Sequence, residues 1–343
     1  MSRTRFVFRP ALIAALLGAG ACSAPRPVTQ PASPVLDAAA FEQLRRKNIL
    51  FLSPEEQLRV YPNVERMWPT RTIQRSDRPY PLPPAPRALD DVRYSVRGTS
   101  YTLRDFIERT NVSGLLVLKD GHVVLERYAN GNTSQTRWTS FSVAKSVVSL
   151  LFGAAIRDGH IKSLDEPVTR YLPALKGSAY DGVSLRHLLQ MSSGVAWNEN
   201  YGDPQSDVAR MSEVTLTEGL DGFLRYMARL SRAAPPGTRF SYNTGETHVA
   251  GAVLRAATGQ SLSDYLSARI WQPFGMESDA YWALLRERDV EHGGCCISAT
   301  LRDYGRIGQF ALDEGVTRDG TRVLPPRWIA ESTRPAAPYT GVG

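Results

Sequence analysis

Cysteine is scarce in this sequence of 343 residues, which holds only Cys22 and the neighbours Cys295 and Cys296. Adjacent cysteines pair badly, because the geometry of a disulfide strains the single peptide unit between them. We therefore expect no disulfide framework, and we interpret Cys295 and Cys296 as small core residues rather than a redox pair. Stability must then come from a hydrophobic core, which a chain of this length with 42% hydrophobic residues can bury.

The sequence also has few histidines and a small net charge. The five histidines include His122, His160 and His187, which show no metal-ligand spacing, so we predict neither a metal site nor a cofactor. The formal net charge of +7 falls to +4 once the three arginines of the first ten residues are set aside. A balance of this size favours solubility and indicates no nucleic-acid partner.

The amino-terminal region resembles an export signal. Arginines precede an apolar segment at residues 11–21, which is too short to span a bilayer comfortably and ends in small residues before Cys22. The letters "AGAC" resemble a bacterial lipoprotein processing site, although a plain cleavage site with an incidental cysteine is the alternative. We expect residues 1–21 to be a signal peptide. Acyl chains on Cys22 would hold the exported protein on a membrane, facing the periplasm or the cell exterior.

The remaining chain divides into three predicted regions: a tether at 22–40, an N-terminal arm at 41–112 with a Pro-rich segment at 78–91, and a catalytic domain at 113–343. The domain opens with a β-hairpin whose turn is Asp120-Gly121, since both turn positions favour positive φ. Helices are predicted at 142–157, 246–258 and 301–313. This order indicates an α+β fold whose strands come from distant parts of the chain.

Two polar motifs could carry chemistry. Ser142 and Lys145 lie one helical turn apart within "SFSVAKSVV", and burial of the lysine would lower its pKa enough for it to act as a base. The alternative is a serine N-cap followed by a surface lysine. Tyr242, in "FSYNTGETHVAG", follows a Pro-Gly bend, where a loop can aim a phenol into a cleft and relay a proton; it could equally be a core tyrosine.

At this point the sequence resembles a family. "SVAKS", "FSYNTGETHVAG" and "GGCCISATLRDYGRIGQFALDEG" occur in the order seen in the serine β-lactamase and penicillin-binding-protein superfamily, in its class C-like branch. The segment from Leu164 to Met211 is most similar to the 6-aminohexanoate-oligomer (nylon-oligomer) hydrolases and related esterases. The resemblance implies a β-lactamase/transpeptidase-like fold, with an antiparallel sheet flanked by helices and an all-helical subdomain.

The resemblance also implies roles for individual residues. Ser142 would be the acylated nucleophile, Lys145 its base and Tyr242 the proton shuttle, while Tyr201 and Thr244 would bind substrate. Thr244 stands where the second motif usually has Asn or Ser, so its hydroxyl could still partner the lysine, and β-lactams become less favoured substrates. The oxyanion hole would use the backbone N–H of Ser142 and one from a late strand.

The superfamily's third motif is not found. His292 of "HGG" precedes the block that begins at Gly293, and we interpret it as part of a glycine turn rather than as the third-motif residue. Relatives continue into closing strands after the point where this sequence ends at Gly343. We therefore expect the carboxyl-terminal strands, with the second oxyanion donor, to be missing.

These observations predict an exported, lipid-anchored serine hydrolase that acts on a small ester or linear amide through an acyl-enzyme. Within enzymes, the alternative is a D-amino-acid peptidase or β-lactamase-type enzyme using the same residues. From a different class, the alternative is a non-catalytic lipoprotein that keeps the fold. Neither the natural substrate nor the oligomeric state follows from the sequence.

Overall fold

The main sheet joins strands from distant parts of the chain. The computed structural model describes residues 38–45, 47–89, 91–287, 289–335 and 337. Within these residues the sheet is antiparallel with the order β1-β7-β8-β6, where the strands are β1 (Thr70–Ile73), β6 (Arg137–Thr139), β7 (Ala280–Ala283) and β8 (Ile297–Thr300). Strand β1 belongs to the segment assigned above to the N-terminal arm. The prediction that distant segments meet in one sheet is confirmed.

Two hairpins accompany this sheet: β2 (Arg93–Val96) with β3 (Thr99–Thr102), and β4 (Gly114–Lys119) with β5 (His122–Tyr128). The second is the hairpin predicted from sequence. Asp120 and Gly121 both adopt positive φ, 52° and 75°, as a two-residue turn of this kind requires. The Pro-rich segment runs beside this hairpin, because Val123 exchanges backbone hydrogen bonds with Pro83 and Ala85.

Helices pack around the sheet and form a helical region between α4 and α8. Their bounds are α1 (Ala38–Arg45), α2 (Pro54–Val60), α3 (Leu103–Arg109), α4 (Val143–Arg157), α5 (Val168–Tyr171), α6 (Leu185–Leu189), α7 (Asp207–Arg229), α8 (Thr244–Thr258), α9 (Leu262–Leu266), α10 (Gln272–Phe274), α11 (Leu301–Leu312) and α12 (Trp328–Ser332). A π turn at Ser267–Trp271 joins α9 to α10. None of the described helices is both long enough and apolar enough to cross a membrane.

The helices predicted at 142–157, 246–258 and 301–313 correspond to α4, α8 and α11. Gly259 ends α8 in the left-handed conformation with φ 70°, as expected for a residue that closes a helix. Helix α7 was not predicted. It is interrupted by Gly219, whose φ of 66° and ψ of −152° break the helical backbone.

Two hydrophobic cores support the fold. The larger one lies around α4, α8 and the main sheet, and includes the fully buried Trp271 and Trp282. The smaller one belongs to the N-terminal arm and consists of apolar side chains from residues 41–67: Phe41, Leu44, Leu52, Val60, Tyr61 and Met67. Trp138 and Phe141, just before Ser142, pack against this smaller core. The arm is therefore joined by apolar packing to the segment that precedes the candidate nucleophile.

Cys295 and Cys296 form a vicinal disulfide, so the prediction that they do not pair is wrong, whereas Cys296 is buried as expected of a core residue. In an extended strand, successive side chains point to opposite faces and could not meet. Cys296 instead has a φ of 77°, and the turn that follows Gly293 and Gly294 brings the two sulfur atoms together. The general rule against pairing neighbours fails at this turn.

Candidate active site

Ser142 lies at the tight turn that leads from β6 into α4. Phe141, the residue before it, has a positive φ of 45°, an unfavourable conformation for a side chain of this size. The backbone of Ser140 pairs with Ile297, next to the β6–β8 ladder, so the sheet fixes the turn on one side. Ser142 occupies the N-cap position of α4, but its side chain makes no capping hydrogen bond. The serine hydroxyl is thus directed to other partners.

Those partners are the residues expected from the sequence motifs. Lys145 Nζ donates to Ser142 Oγ at 3.1 Å and to the backbone carbonyl of Gly294 at 2.7 Å. The Tyr242 hydroxyl donates to Ser142 Oγ at 3.0 Å across 100 residues of sequence. Lys145 Nζ also lies 5.3 Å from the centre of the Tyr242 ring. We call Ser142, Lys145 and Tyr242 the reactive cluster.

The surroundings of Lys145 favour the neutral amine, which can accept a proton. Burial lowers the pKa of Lys145 because the charged ammonium loses solvation, and interactions with Tyr242 and the Glu199 carboxylate oppose that change. Ser142 itself is exposed to solvent, and Tyr242 is 40% exposed. The cluster therefore joins a desolvated amine to a hydroxyl that a substrate can reach.

A carboxylate that the sequence analysis did not select connects Tyr201 to Thr244. Glu199 accepts hydrogen bonds from the Tyr201 hydroxyl at 2.6 Å, from the backbone N–H of Thr244 at 3.0 Å, and from the Thr244 hydroxyl and the Trp197 indole. The Tyr201 and Thr244 hydroxyls lie 3.1 Å apart. Burial and this carboxylate raise the pKa of Tyr201. The loop carrying Tyr201 is thereby fixed to the start of α8.

This network changes the expected role of Thr244. The sequence left open that its hydroxyl partners Lys145, but in the structure that hydroxyl donates to Glu199, and the carbonyl acceptor for the lysine is Gly294. The sequence did carry a signal for the Glu199 carboxylate, because Glu199 lies within "NENYGD", two residues before Tyr201. The Gly294 carbonyl carried no such signal, because its position depends on a long-range contact.

Close packing explains the paired glycines of "HGG". A side chain at Gly293 would approach the Thr247 carbonyl oxygen to 2.8 Å, and one at Gly294 would approach the Thr244 side chain to 2.8 Å. These glycines let the backbone lie directly against α8, which brings the Gly294 carbonyl to Lys145. The half-buried His292 directly precedes them, with its ring 5.1 Å from that of His248, and desolvation lowers the pKa of His292 to about 4.

A second polar group lies deeper in the molecule. Glu246, almost fully buried, accepts a hydrogen bond from the Ser193 hydroxyl, and burial raises the pKa of Glu246 to about 8. Tyr180 is fully buried nearby, and its pKa is raised by burial and by the Glu246 charge. The Glu246 Oε2 and Tyr180 hydroxyl oxygens have no hydrogen-bond partner among the described residues. We call Tyr180, Ser193 and Glu246 the buried cluster.

The reactive cluster opens into a cavity of about 480 Å³. Its lining includes all five side chains that were predicted as catalytic or substrate-binding: Ser142, Lys145, Tyr201, Tyr242 and Thr244. The disulfide of Cys295 and Cys296 also lines it. Cys22 lies outside the described residues, so its lipidation stays a prediction. Within the described part of the chain, no group of His, Cys, Asp and Glu side chains could hold a metal ion.

Comparison with known proteins places this geometry in a family. The Beta-lactamase family model matches residues 99–341. The chain is 31% identical over 267 residues to the 6-aminohexanoate-dimer hydrolase of Paenarthrobacter ureafaciens, covering 76% of this chain and 66% of that protein. It is 28% identical over 223 residues to esterase EstB of Burkholderia gladioli, covering 60% of this chain and 56% of the esterase. The chain thus spans between about half and two thirds of the length of these relatives.

A solved structure shares the fold. It is a Bacillus anthracis protein, provisionally described as a 6-aminohexanoate-dimer hydrolase, with a TM-score of 0.73, 26% identity, and coverage of 83% of this chain and 75% of its own. The predicted β-lactamase/transpeptidase-like α+β fold is confirmed by this likeness. Given the extent of the family match, the chain belongs to the beta-lactamase family, and the relatives described above are hydrolases.

Proposed function

We propose that this protein is a serine hydrolase that cleaves an ester or a linear amide through an acyl-enzyme. The observation that carries the proposal is the reactive cluster itself: Ser142 Oγ lies 3.1 Å from Lys145 Nζ and 3.0 Å from the Tyr242 hydroxyl, at a cavity that a substrate can enter. The names of the relatives, a 6-aminohexanoate-dimer hydrolase and an esterase, support this choice of substrate class.

The proposed reaction has two halves. Ser142 Oγ attacks the substrate carbonyl carbon while its proton passes to neutral Lys145, directly or through Tyr242. The new Oγ–C bond replaces the bond to the leaving alcohol or amine, which takes up that proton and departs. Water then attacks the acyl-enzyme, the Oγ–C bond breaks, and Ser142 regains its proton as the free acid is released.

The start of α4 would stabilise the oxyanion of this reaction. Backbone N–H groups at a helix N-terminus carry partial positive charge, and Ser142 is the residue at that position. Its N–H is therefore proposed as one oxyanion donor. Preorganised donors of this kind contribute about 10²- to 10³-fold to rate in other hydrolases.

A fluorophosphonate probe tests the nucleophile. The intact protein should be labelled on Ser142, and Ser142→Ala should abolish the label because, of the hydroxyls in the described residues, Ser142 Oγ is the one held by both Lys145 and Tyr242. Ser149→Ala, two turns along the same helix, is the matched control and should be labelled like the parent protein. A folded protein that refuses the probe would overturn the proposed function.

A substrate panel tests the chemical class. The four substrates are p-nitrophenyl butyrate, the linear 6-aminohexanoate dimer, D-alanine p-nitroanilide and the β-lactam nitrocefin. We expect turnover of the ester or the linear amide to exceed that of the β-lactam, because Thr244 replaces the usual Asn or Ser and is bound to Glu199 rather than to Lys145. Preference for nitrocefin or for the D-alanine substrate would contradict the proposed class.

A further inference from the structure

We propose that the N-terminal arm supplies a substrate subsite, in which Ile49, Leu50 and Trp68 bind an uncharged, apolar part of the substrate. This inference rests on the proposed function, since it names what the same cavity selects. It concerns a segment that precedes residue 99, where the match to the family model begins.

The N-terminal arm forms part of the lining of the cavity at the reactive cluster. The cavity that contains Ser142 extends to the arm without interruption, and Ile49, Leu50 and Trp68 line it. Further apolar side chains from α7 and from the segment after β7 line the same cavity: Met211, Leu216, Leu284 and Leu285. A group attached to the acylated carbonyl, on its acyl or alcohol side, would therefore meet apolar side chains of the arm, of α7 and of the segment after β7.

The arm is also held firmly against the nucleophile. The Tyr61 ring packs edge-on against Trp138 at 5.6 Å and against Phe141 at 4.9 Å. Edge-to-face pairs of this kind are specific contacts that fix orientation as well as bury area. Because Phe141 directly precedes Ser142, the arm and the nucleophile turn form one packed unit.

A second contact joins the arm to the Tyr201 loop. Asn48 Nδ2 donates to the backbone carbonyl of Tyr201 at 3.3 Å, while Asn48 Oδ1 accepts from the backbone N–H of Leu50 at 3.0 Å. The same side chain therefore orients the turn at Ile49–Phe51 and fastens it to the Tyr201 loop. A wall fixed at both ends can discriminate substrates by shape.

Charge decides the chemistry of the subsite. The basic side chains of Lys47 and Lys145 line the cavity, and no carboxylate lines it within the described residues. Lys47 is paired with Glu56, and Lys145 is engaged at the nucleophile. An ammonium group on the substrate would find no counter-charge here, and a free carboxylate would have to displace Glu56. The arm subsite is therefore suited to an uncharged apolar group.

Chain-length selectivity is the measurable consequence. The probes are p-nitrophenyl acetate, butyrate, hexanoate and octanoate, which vary the acyl side, and ethyl to octyl acetates, which vary the alcohol side. In one of the two series we expect kcat/KM of the parent protein to rise at least about tenfold from the shortest member to the six-carbon member, as each added methylene is buried.

Two neighbouring residues give a matched pair of variants. Leu50 lines the cavity and is 37% exposed, whereas Phe51 is 63% exposed and lies outside that lining. Leu50→Asn should reduce the long-to-short ratio at least about fivefold, and Phe51→Asn should leave it within about twofold. Leu50→Ala is a milder second variant, expected to shift the ratio in the same direction.

The outcomes separate the two proposals. Absence of fluorophosphonate labelling in the parent protein would overturn the proposed function. Intact labelling with no chain-length dependence in either series, or with the same profile in Leu50→Asn and Phe51→Asn, would overturn the arm subsite alone. Intact labelling with the expected loss of selectivity only in the Leu50 variants would support it.

Discussion

The reactive cluster and the buried cluster contain similar types of residue but differ in their access to solvent and substrate. Each contains a serine, a tyrosine and a titratable side chain, Lys145 in one and Glu246 in the other. Burial shifts the pKa in both, downward for Lys145 and upward for Glu246 to about 8. The shift follows from the same cause, since a low-dielectric environment disfavours the charged form of either group.

What separates the clusters is access. Ser142 and Tyr242 face a cavity open to solvent, whereas Ser193, Glu246 and Tyr180 are almost fully enclosed. A shifted pKa alone therefore does not identify a catalytic group in this protein; it must coincide with a nucleophile and a path for substrate.

Removing the base of the reactive cluster should have the largest effect. Lys145→Ala should lower kcat/KM for p-nitrophenyl butyrate by about 10³-fold, because Ser142 loses the amine that accepts its proton. Glu246→Gln, the corresponding change in the buried cluster, should leave kcat/KM within about threefold. Steady-state kinetics on both variants would contradict the distinction if the two losses were similar.

The tyrosines should differ in the same way. Tyr242→Phe removes the hydroxyl that donates to Ser142 Oγ and should lower kcat by about 10²-fold. Tyr180→Phe removes a hydroxyl with no partner among the described residues, so activity should be retained. A Tyr242→Phe protein with undiminished kcat would exclude the tyrosine from proton transfer.

Glu246 should make stability depend on pH. Its pKa is raised from 4.5 to about 8 in the folded protein, so its stabilising contribution is complete below pH 4.5 and is lost as pH rises through about 8. Across that window the unfolding free energy of the parent protein should fall by a few kcal/mol relative to that of Glu246→Gln. Urea denaturation at pH 5, 6.5 and 8 measures the difference. If the unfolding free energies of the two proteins changed in parallel with pH, the pKa of Glu246 would be the same in the folded and unfolded states, which would contradict this prediction.

Replacing Glu199 should have the smallest effect, and that effect should appear in the pH dependence of kcat/KM. Its negative charge raises the pKa of Lys145, so Glu199→Gln should lower that pKa and move the acidic limb of the kcat/KM profile to lower pH. Glu213→Gln, an exposed position on α7, is the control and should leave the limb in place. Movement to higher pH would contradict this electrostatic role.

Local sequence patterns predicted much of the fold and the reactive residues. The Asp120-Gly121 turn and the helix from Val143 depend on neighbouring residues, so their signals lie in short segments. The spacing of Ser142 and Lys145 places them on one helix face for the same reason. Tyr242 was selected from its position after the Pro-Gly bend, the family resemblance implied its role as proton shuttle, and the structure brings its hydroxyl to Ser142.

Long-range packing produced the features that sequence reasoning missed. Two glycines allow the close contact with α8 that brings the Gly294 carbonyl to Lys145. The packing of Tyr61 on Phe141 and the hydrogen bond from Asn48 to Tyr201 hold the arm at the cavity. Helix α7 was not predicted, and its backbone is interrupted at Gly219, so it is not one continuous helical segment. The vicinal disulfide was missed because a rule drawn from ordinary backbone was applied to a turn with positive φ.

That disulfide links two residues that are already joined by a peptide bond, and so it connects no distant parts of the molecule. Closing so small a ring removes very little conformational freedom from the unfolded chain. A thiol reductant should therefore leave the melting temperature almost unchanged. Because Cys295 and Cys296 line the cavity, any response of this protein to reduction would be seen in turnover, at the surface that the substrate contacts.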